Sequence, residues 1–291
     1  MEARLLMSLG TCHLQQGDCQ AAKAFYERGL AALEACSTFS GPCYARLLMS
    51  LGTCHGSQGD QIATRRLFER AATALGEDTS LHEAVRAKLM VSLGASYVQQ
   101  GDQETARRQF FNAEALLEAV GSARGPDFGG LLMSVGSSYL GQGDCKAALS
   151  YYERAKATYE VAGAAQGTGY ARVLTSLGAC LGRQGEQEAA RLHYERAEAV
   201  FEAAGVVTGP AYATLLLSMG ASLSEVGNID SAQVLYGRAM TSFEAGGAVH
   251  GSEYATLLTS MGAAYGKQGD IEEARRCYER AQAVFQACGG Q

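Results

Sequence analysis

The chain has 291 residues, of which 47% are hydrophobic and 19% are charged, and its formal net charge is −6. This composition supplies a large core and argues against a disordered chain. The acidic balance and the lack of a Lys/Arg run argue against a nucleic-acid partner. No apolar stretch reaches the ~18 residues of a membrane span, so we also expect no membrane partner.

Glycine recurs at one fixed interval along the chain. One series consists of Gly10, Gly52, Gly94, Gly136, Gly178, Gly220 and Gly262, and a second of Gly17, Gly59, Gly101, Gly143, Gly185, Gly227 and Gly269. A constant 42-residue period without insertions predicts a stacked solenoid, in which each repeat contacts only its neighbours. We therefore expect one domain of seven repeats, at about 1–42, 43–84, 85–126, 127–168, 169–210, 211–252 and 253–291.

Each repeat reads as two helices. In the fourth repeat, apolar residues follow helical spacing from Leu131 to Tyr139, stop at Gly143-Asp144 and resume at Ala148. Glycine ends a helix in the left-handed conformation, and the acid caps the next helix. The capping series is Asp18, Asp60, Asp102, Asp144, Glu186, Asn228 and Asp270, of which only Glu186 is a weak cap. The pattern predicts helix A of about 15 residues and helix B of about 18 residues in every repeat.

Proline and glycine also have defined places in helix A. The three prolines, Pro42, Pro126 and Pro210, share one repeat position and predict the first turn of helix A. The first glycine series lies inside helix A, where each glycine costs about 1 kcal/mol relative to alanine. We expect a close approach of helix B to compensate for that cost.

The string Leu132-x2-Val135-Gly136-x2-Tyr139, followed by Ala148-x3-Tyr152-x2-Ala155, resembles the tetratricopeptide repeat over the whole chain. HEAT and armadillo repeats have similar periods but lack this spacing. The longer unit, with Gly209-Pro210-x-Tyr212-Ala213, looks like the kinesin-light-chain type, although this chain has Gly-Pro or Gly-Ser where that type has His-Pro. The resemblance implies an all-α, right-handed superhelical solenoid and a peptide-binding adaptor.

Helix A also predicts where a ligand binds. At about 100° per residue, Leu6, Leu9, Gly10 and His13 form the core stripe, and the opposite side lines the concave groove in the resembling fold. The predicted groove residues are Arg4, Met7, Ser8, Thr11, Arg46, Met49, Ser50, Thr53, Lys88, Val91, Ser92, Met133, Ser134, Arg172 and Ser176.

The groove residues suggest a partner, and each has a second interpretation. Methionines and guanidinium groups suit an acidic peptide with apolar anchors. Alternatively, the methionines pack against neighbouring helices and the charges form a solvated rim. The serine series, present in all seven repeats, either packs tightly while bonding its own helix or contacts a bound main chain. Packing is the favoured interpretation of the serines.

Catalytic and metal chemistry find little support in the sequence. Cys12-His13 and Cys54-His55 occupy matching positions, but adjacent helical residues point about 100° apart, so we expect no metal site. We also expect no catalytic residue and no cofactor, and Glu-Arg pairs such as Glu279-Arg280 read as a solvated helix B face. Nine cysteines without a CxxC pair predict reduced thiols and a cytoplasmic location.

The function we expect is that of a protein-interaction scaffold or adaptor that binds a peptide. The alternative is a structural or self-associating repeat segment of a larger regulatory protein. Helix A begins at the first residue and helix B closes at Cys288, without a polar helix to cover either end of the stack. This predicts either that the chain is an excerpt or that its ends associate.

Overall fold

The computed structural model describes residues 2–15, 18–57, 60–76, 83–119 and 125–289, and these residues form fourteen α-helices. The helices are α1 (Glu2–Gln15), α2 (Cys19–Ala35), α3 (Pro42–Ser57), α4 (Gln61–Leu75), α5 (Glu83–Gln99), α6 (Gln103–Ala119), α7 (Pro126–Gly141), α8 (Cys145–Val161), α9 (Thr168–Arg183), α10 (Gln187–Ala203), α11 (Pro210–Glu225), α12 (Ile229–Ala245), α13 (Ser252–Gln268) and α14 (Ile271–Gly289). Odd-numbered helices are helix A and even-numbered helices are helix B. The predicted all-α fold of seven helix pairs is confirmed.

The contacts divide the chain into two compact units, residues 1–138 and residues 139–291. In the first unit α1 packs on α2, α3 on α4 and α5 on α6, and α2 and α4 pack on the next helix A. In the second unit α9 packs on α10, α11 on α12 and α13 on α14, and each helix B again packs on the next helix A. The single-domain organisation stays a prediction.

The turns between helix A and helix B have the expected chemistry. Gly101, Gly143, Gly185, Gly227 and Gly269 have φ between 82° and 85°, the left-handed region that favours glycine. Gly17 and Gly59 lie outside the described residues. The side chains that accept a backbone N–H of the following helix, at 2.9–3.3 Å, are those of Asp18, Asp60, Asp102, Asp144, Asn228 and Asp270. Glu186 makes no such bond, and Pro42, Pro126 and Pro210 each open a helix A, so both predictions are confirmed.

The caps differ in strength, which gives a first testable prediction. Asp144 accepts the N–H of Ala147 at 3.0 Å, so Asp144→Ala should lower the free energy of unfolding by about 1 kcal/mol. Glu186→Ala removes the same charge at the same repeat position but no capping bond, and should cost much less. Urea denaturation followed by circular dichroism compares the two variants. Equal losses would contradict the capping role.

Six glycines of the first series lie inside helix A under aromatic rings of helix B. A Cβ built on any of these six glycines would lie 2.8 Å or less from a ring atom. The pairs are Gly10 with Tyr26, Gly52 with Phe68, Gly94 with Phe110, Gly178 with Tyr194, Gly220 with Tyr236 and Gly262 with Tyr278. The expected close approach of helix B is therefore confirmed for these six repeats, and the approaching group is a side-chain ring.

The predicted core stripe of helix A on α1 agrees with the observed burial except at one residue. Leu6 and Gly10 are buried, but Leu9 is 39% exposed, whereas its equivalent Leu51 is only 6% exposed. The prediction was wrong for Leu9, because helical spacing gives the side of the helix on which a residue lies and not what covers that residue.

A tyrosine joins consecutive repeats through polar contacts. The Tyr44 hydroxyl donates to Glu34 Oε1 at 2.8 Å and accepts from Arg70 Nη2 at 2.9 Å. Tyr254 repeats both bonds, with Glu244 and Arg280. Tyr170 repeats the donation to a glutamate, Glu160, and Tyr212 accepts from Arg238 but donates to Glu198, four residues before the repeat equivalent of Glu34. We call this arrangement the inter-repeat tyrosine bridge. Burial, with the neighbouring Glu34 carboxylate, raises the pKa of Tyr44.

The tyrosine bridge adds an inter-helix contact to the exposed face of helix B. Glu279 and Arg280 are exposed, as expected, and Arg280 also donates to the Tyr254 hydroxyl at 3.1 Å. Its partner lies on the preceding helix A, so the contact joins two elements of the stack.

Among the described helices, none combines the length and apolarity that a membrane crossing requires.

Candidate functional site

The predicted groove residues form an exposed stripe on helix A. On α1 the stripe consists of Arg4, Ser8 and Thr11, spaced i, i+4 and i+7 on one side of the helix. Repeat symmetry places Arg46 with Thr53 on α3 and Lys88 on α5, all exposed. We call these exposed residues of the first unit the helix A surface.

The helix A surface carries cations without acidic partners. Arg4, Arg46 and Lys88 make no ion pair or side-chain hydrogen bond to any residue that the structure describes. Other arginines are paired, for example Arg65 with Glu69 at 3.7 Å. Because α1 contacts α3 and α3 contacts α5, the three cations lie on successive A helices. Unpaired charges on adjacent helices favour an anionic ligand.

The second unit holds the remaining predicted groove residues on α9. Arg172 is exposed and has no acidic partner in the described part of the chain, and Ser176 is half-buried. These residues lie in a different unit from the helix A surface. Their membership of a common groove stays a prediction.

The apolar groove residues are mostly covered. Met49, Val91 and Met133 are buried, while Met7 is partly buried against the core of the first unit. This burial favours the interpretation in which the methionines pack against neighbouring helices. Met7 retains partly exposed apolar area on this face.

The serine series bonds its own helix. Ser8 donates to the carbonyl of Arg4 at 3.1 Å, and Ser92 donates to the carbonyl of Lys88 at 3.0 Å. Ser134 and Ser218 repeat this i to i−4 pattern at 3.0 and 2.9 Å. The observed bonds agree with the packing interpretation. A hydroxyl that donates still has acceptor capacity, so ligand contacts by Ser8, Ser50 and Ser92 stay a prediction.

The histidines of the two Cys-His pairs each lie near a carboxylate of the following turn. His13 stacks on Phe25 with ring centroids 5.2 Å apart, and its Nδ1 lies 3.8 Å from Asp18. His55 lies 3.6 Å from Asp60 in the same way. Within the described ranges, no group of three His, Cys, Asp or Glu side chains is placed to hold a metal ion.

The sequence interpretation missed an open cavity between α4 and the start of α3. It has a volume of about 550 Å³, and its lining residues are Phe39, Tyr44, Arg66, Glu69, Arg70, Thr73 and Ala74. The feature of the sequence that could have indicated this cavity is Phe39. This residue stands between the helices, where the corresponding positions of later repeats carry Ala165, Val207 and Val249.

Comparison with protein families supports the fold over both units. A tetratricopeptide repeat model matches residues 128–203 and 211–287, more than half of the chain, and a second tetratricopeptide repeat model matches residues 3–32. No curated protein matches the sequence.

The chain is also similar to solved structures at low sequence identity. A Rap protein complexed with competence and sporulation factor is 14% identical, with a TM-score of 0.70 over 99% of this chain and 76% of that one. The Rap conjugation gene regulator of plasmid pLS20, in complex with the Phr* peptide, is 13% identical, with a TM-score of 0.69 over 97% and 73%. The nearly identical TPR-like repeats of a Podospora anserina protein described as a kinesin light chain are 15% identical, with a TM-score of 0.54 over 70% and 96%. Identities this low show a shared fold alone.

Proposed function

The chain belongs to the tetratricopeptide repeat family, and from this premise we propose that it is a non-enzymatic scaffold or adaptor that binds a peptide segment in a concave groove. The observation that carries the proposal is the row of Arg4, Arg46 and Lys88, three unpaired exposed cations on successive A helices. The pLS20 regulator, which is similar in fold, is in complex with a peptide, and this supports the same class of ligand.

The chemistry of the helix A surface defines the peptide we propose. Guanidinium groups bind carboxylates in a bidentate manner, so acidic side chains should face Arg4 and Arg46. The partly exposed Met7 offers a flexible apolar contact for a large side chain. The ligand is therefore an acidic peptide with apolar anchors. We also place this adaptor in the cytoplasm, which the odd number of cysteines supports.

Charge reversal on the helix A surface tests this proposal. The double variant Arg46→Glu/Lys88→Glu replaces attraction with repulsion, and we expect it to weaken an acidic peptide by about 1–3 kcal/mol, or roughly 5- to 150-fold. The probe is a pool of fluorescein-labelled nonapeptides built from Asp, Glu and Leu. Fluorescence anisotropy at fixed ionic strength gives the dissociation constants.

A matched control separates position from total charge. Arg107→Glu/Arg108→Glu makes the same charge change in the same unit, at exposed positions on α6. This control should leave the affinity almost unchanged, because exposed charges away from the ligand contribute little. Equal weakening by both double variants would contradict a helix A groove, as would loss by the control alone.

A further inference from the structure

The cavity between α4 and the start of α3 lies outside the helix A surface. It is bounded by α4, by the first turn of α3 and by the segment that precedes α3. Its volume is about 550 Å³, and it opens widely to solvent, as a surface groove does. None of the predicted groove residues is among its lining residues. We call it the corner cavity.

One wall of the corner cavity is aromatic. Phe39 is 59% exposed, and its ring lies edge-on to the buried Tyr44 ring, with centroids 6.4 Å apart and planes at 75°. Tyr44 is in turn held by the tyrosine bridge, so the aromatic wall rests on a fixed support. Repeat packing does not require this phenylalanine, since Ala165 and Val207 occupy the equivalent positions in the second unit.

The opposite wall is cationic, and one of its charges is uncompensated. Arg70 donates to Tyr44 at 2.9 Å and lies 3.6 Å from Glu34, and Glu69 is paired with Arg65. Arg66 has no ion pair or hydrogen bond to any described residue. Its exposed guanidinium therefore remains available to a ligand carboxylate.

Arg66 differs from the residues at its repeat position in the second unit. The equivalent Arg276 pairs with Glu273, three residues before it on the same helix. The corresponding residue before Arg66 is Ala63, which cannot pair with a cation. In the fifth and sixth repeats the arginine is replaced by Leu192 and Val234. The second repeat thus combines an exposed aromatic ring with an unpaired guanidinium, a combination absent from the equivalent positions of the second unit.

We propose that the corner cavity is a second peptide-binding site, which takes an acidic segment carrying an aromatic side chain. A carboxylate of the segment pairs with Arg66, while its aromatic ring packs on Phe39. Aromatic pairs and carboxylate–guanidinium pairs are each directional, so together they fix the orientation of the segment. The site shares no residue with the helix A surface, so one chain binds two such segments.

Isothermal titration calorimetry of the full chain tests the second site. The probe is a pool of nonapeptides built from Asp and Glu around one central Phe, and a pool with Lys in place of the acids serves as the charge control. We expect two acidic peptides to bind each wild-type chain. Phe39→Ala and Arg66→Glu should each remove one site, or weaken it by about tenfold or more. Both residues are exposed, and circular dichroism will show whether helix content is retained.

The matched control is Arg276→Glu, at the repeat position of Arg66 but beside Val249 in place of Phe39. It should leave both sites intact. Unchanged binding by the Phe39 and Arg66 variants would overturn the corner site, as would a wild-type chain that does not bind the acidic pool. If the groove proposal alone fails, wild type binds a single peptide, and the Phe39 and Arg66 variants lose it. If the corner proposal alone fails, only Arg46→Glu/Lys88→Glu removes binding.

Discussion

Gly178→Leu is expected to destabilise the second unit by about 3 kcal/mol, because a side chain at this position collides with a buried ring. A Cβ on Gly178 would lie 2.5 Å from Tyr194 Cε1 and 2.9 Å from Tyr194 Cζ. Tyr194 belongs to α10 and is itself buried, so its ring cannot move aside without a large cost in packing energy. The larger leucine side chain would force α9 and α10 apart. Urea denaturation followed by circular dichroism measures the loss.

The same helix provides the control. Gly182 also lies in α9 and is buried, but a Cβ there would first meet the Ala190 Cβ at 3.9 Å, an ordinary contact. Gly182→Ala should therefore leave stability unchanged or raise it by up to ~1 kcal/mol, since alanine favours the helix. Gly178→Ala should be destabilising in the same assay. If Gly178→Leu unfolds at the same urea concentration as wild type, contact with the Tyr194 ring is not the reason that glycine occupies this position.

Local chemistry explains why so much of the fold follows from the sequence. Gly143 and Asp144 end one helix and cap the next through bonds within a few residues, so the letters alone indicate the boundary. The glycine of helix A was predicted to admit helix B because no other role offsets its cost. Repetition then extends each local conclusion to seven copies.

Contacts between repeats were much harder to predict. Leu9 and Leu51 are the same residue at the same repeat position, yet Leu9 is 39% exposed and Leu51 is 6% exposed, a difference that the pattern within one helix does not predict. Arg280 reads as a solvated charge, but its partner Tyr254 lies 26 residues earlier in the chain. Helical periodicity gives the direction of a side chain and not the identity of what covers it.

In the candidate site, too, the properties set by one helix could be predicted and those set by neighbouring elements could not. The exposure of Arg4, Arg46 and Lys88 followed from helical geometry, since long charged side chains avoid burial without a partner. The burial of Met49 could not be predicted in this way. Its position on the helix is compatible both with contact to a peptide and with packing against a neighbouring helix. The corner cavity was missed because it lies between Phe39 and α4. The sequence of neither segment by itself indicates that the two lie next to each other.

Alkaline pH should destabilise the chain through its buried thiols, and Cys180 allows this effect to be isolated. Cys180 is 0% exposed in α9, and burial, with a smaller effect of Cys145, raises the pKa of its thiol from 9.0 to about 11. Above pH 9 the unfolded chain loses this proton while the native chain retains it, so stability falls as pH rises from 9 to 11. At pH 10.5 the loss from this one group should be about 2 kcal/mol.

The control variant is Cys180→Ala. The repeat already accepts alanine at this position, since Ala264 is fully buried there in the seventh repeat. Tyr194 is the exception among the buried tyrosines, because its pKa is raised mainly by burial but also, to a smaller extent, by Cys180. The difference between the two proteins therefore reports Cys180 together with this smaller effect on Tyr194. Urea denaturation at pH 8 and pH 10.5 should show wild type losing about 2 kcal/mol more than the variant between these two pH values. An equal loss in both proteins would mean that the Cys180 thiol ionises as readily in the native helix as in the unfolded chain, and that its burial does not stabilise the protonated form.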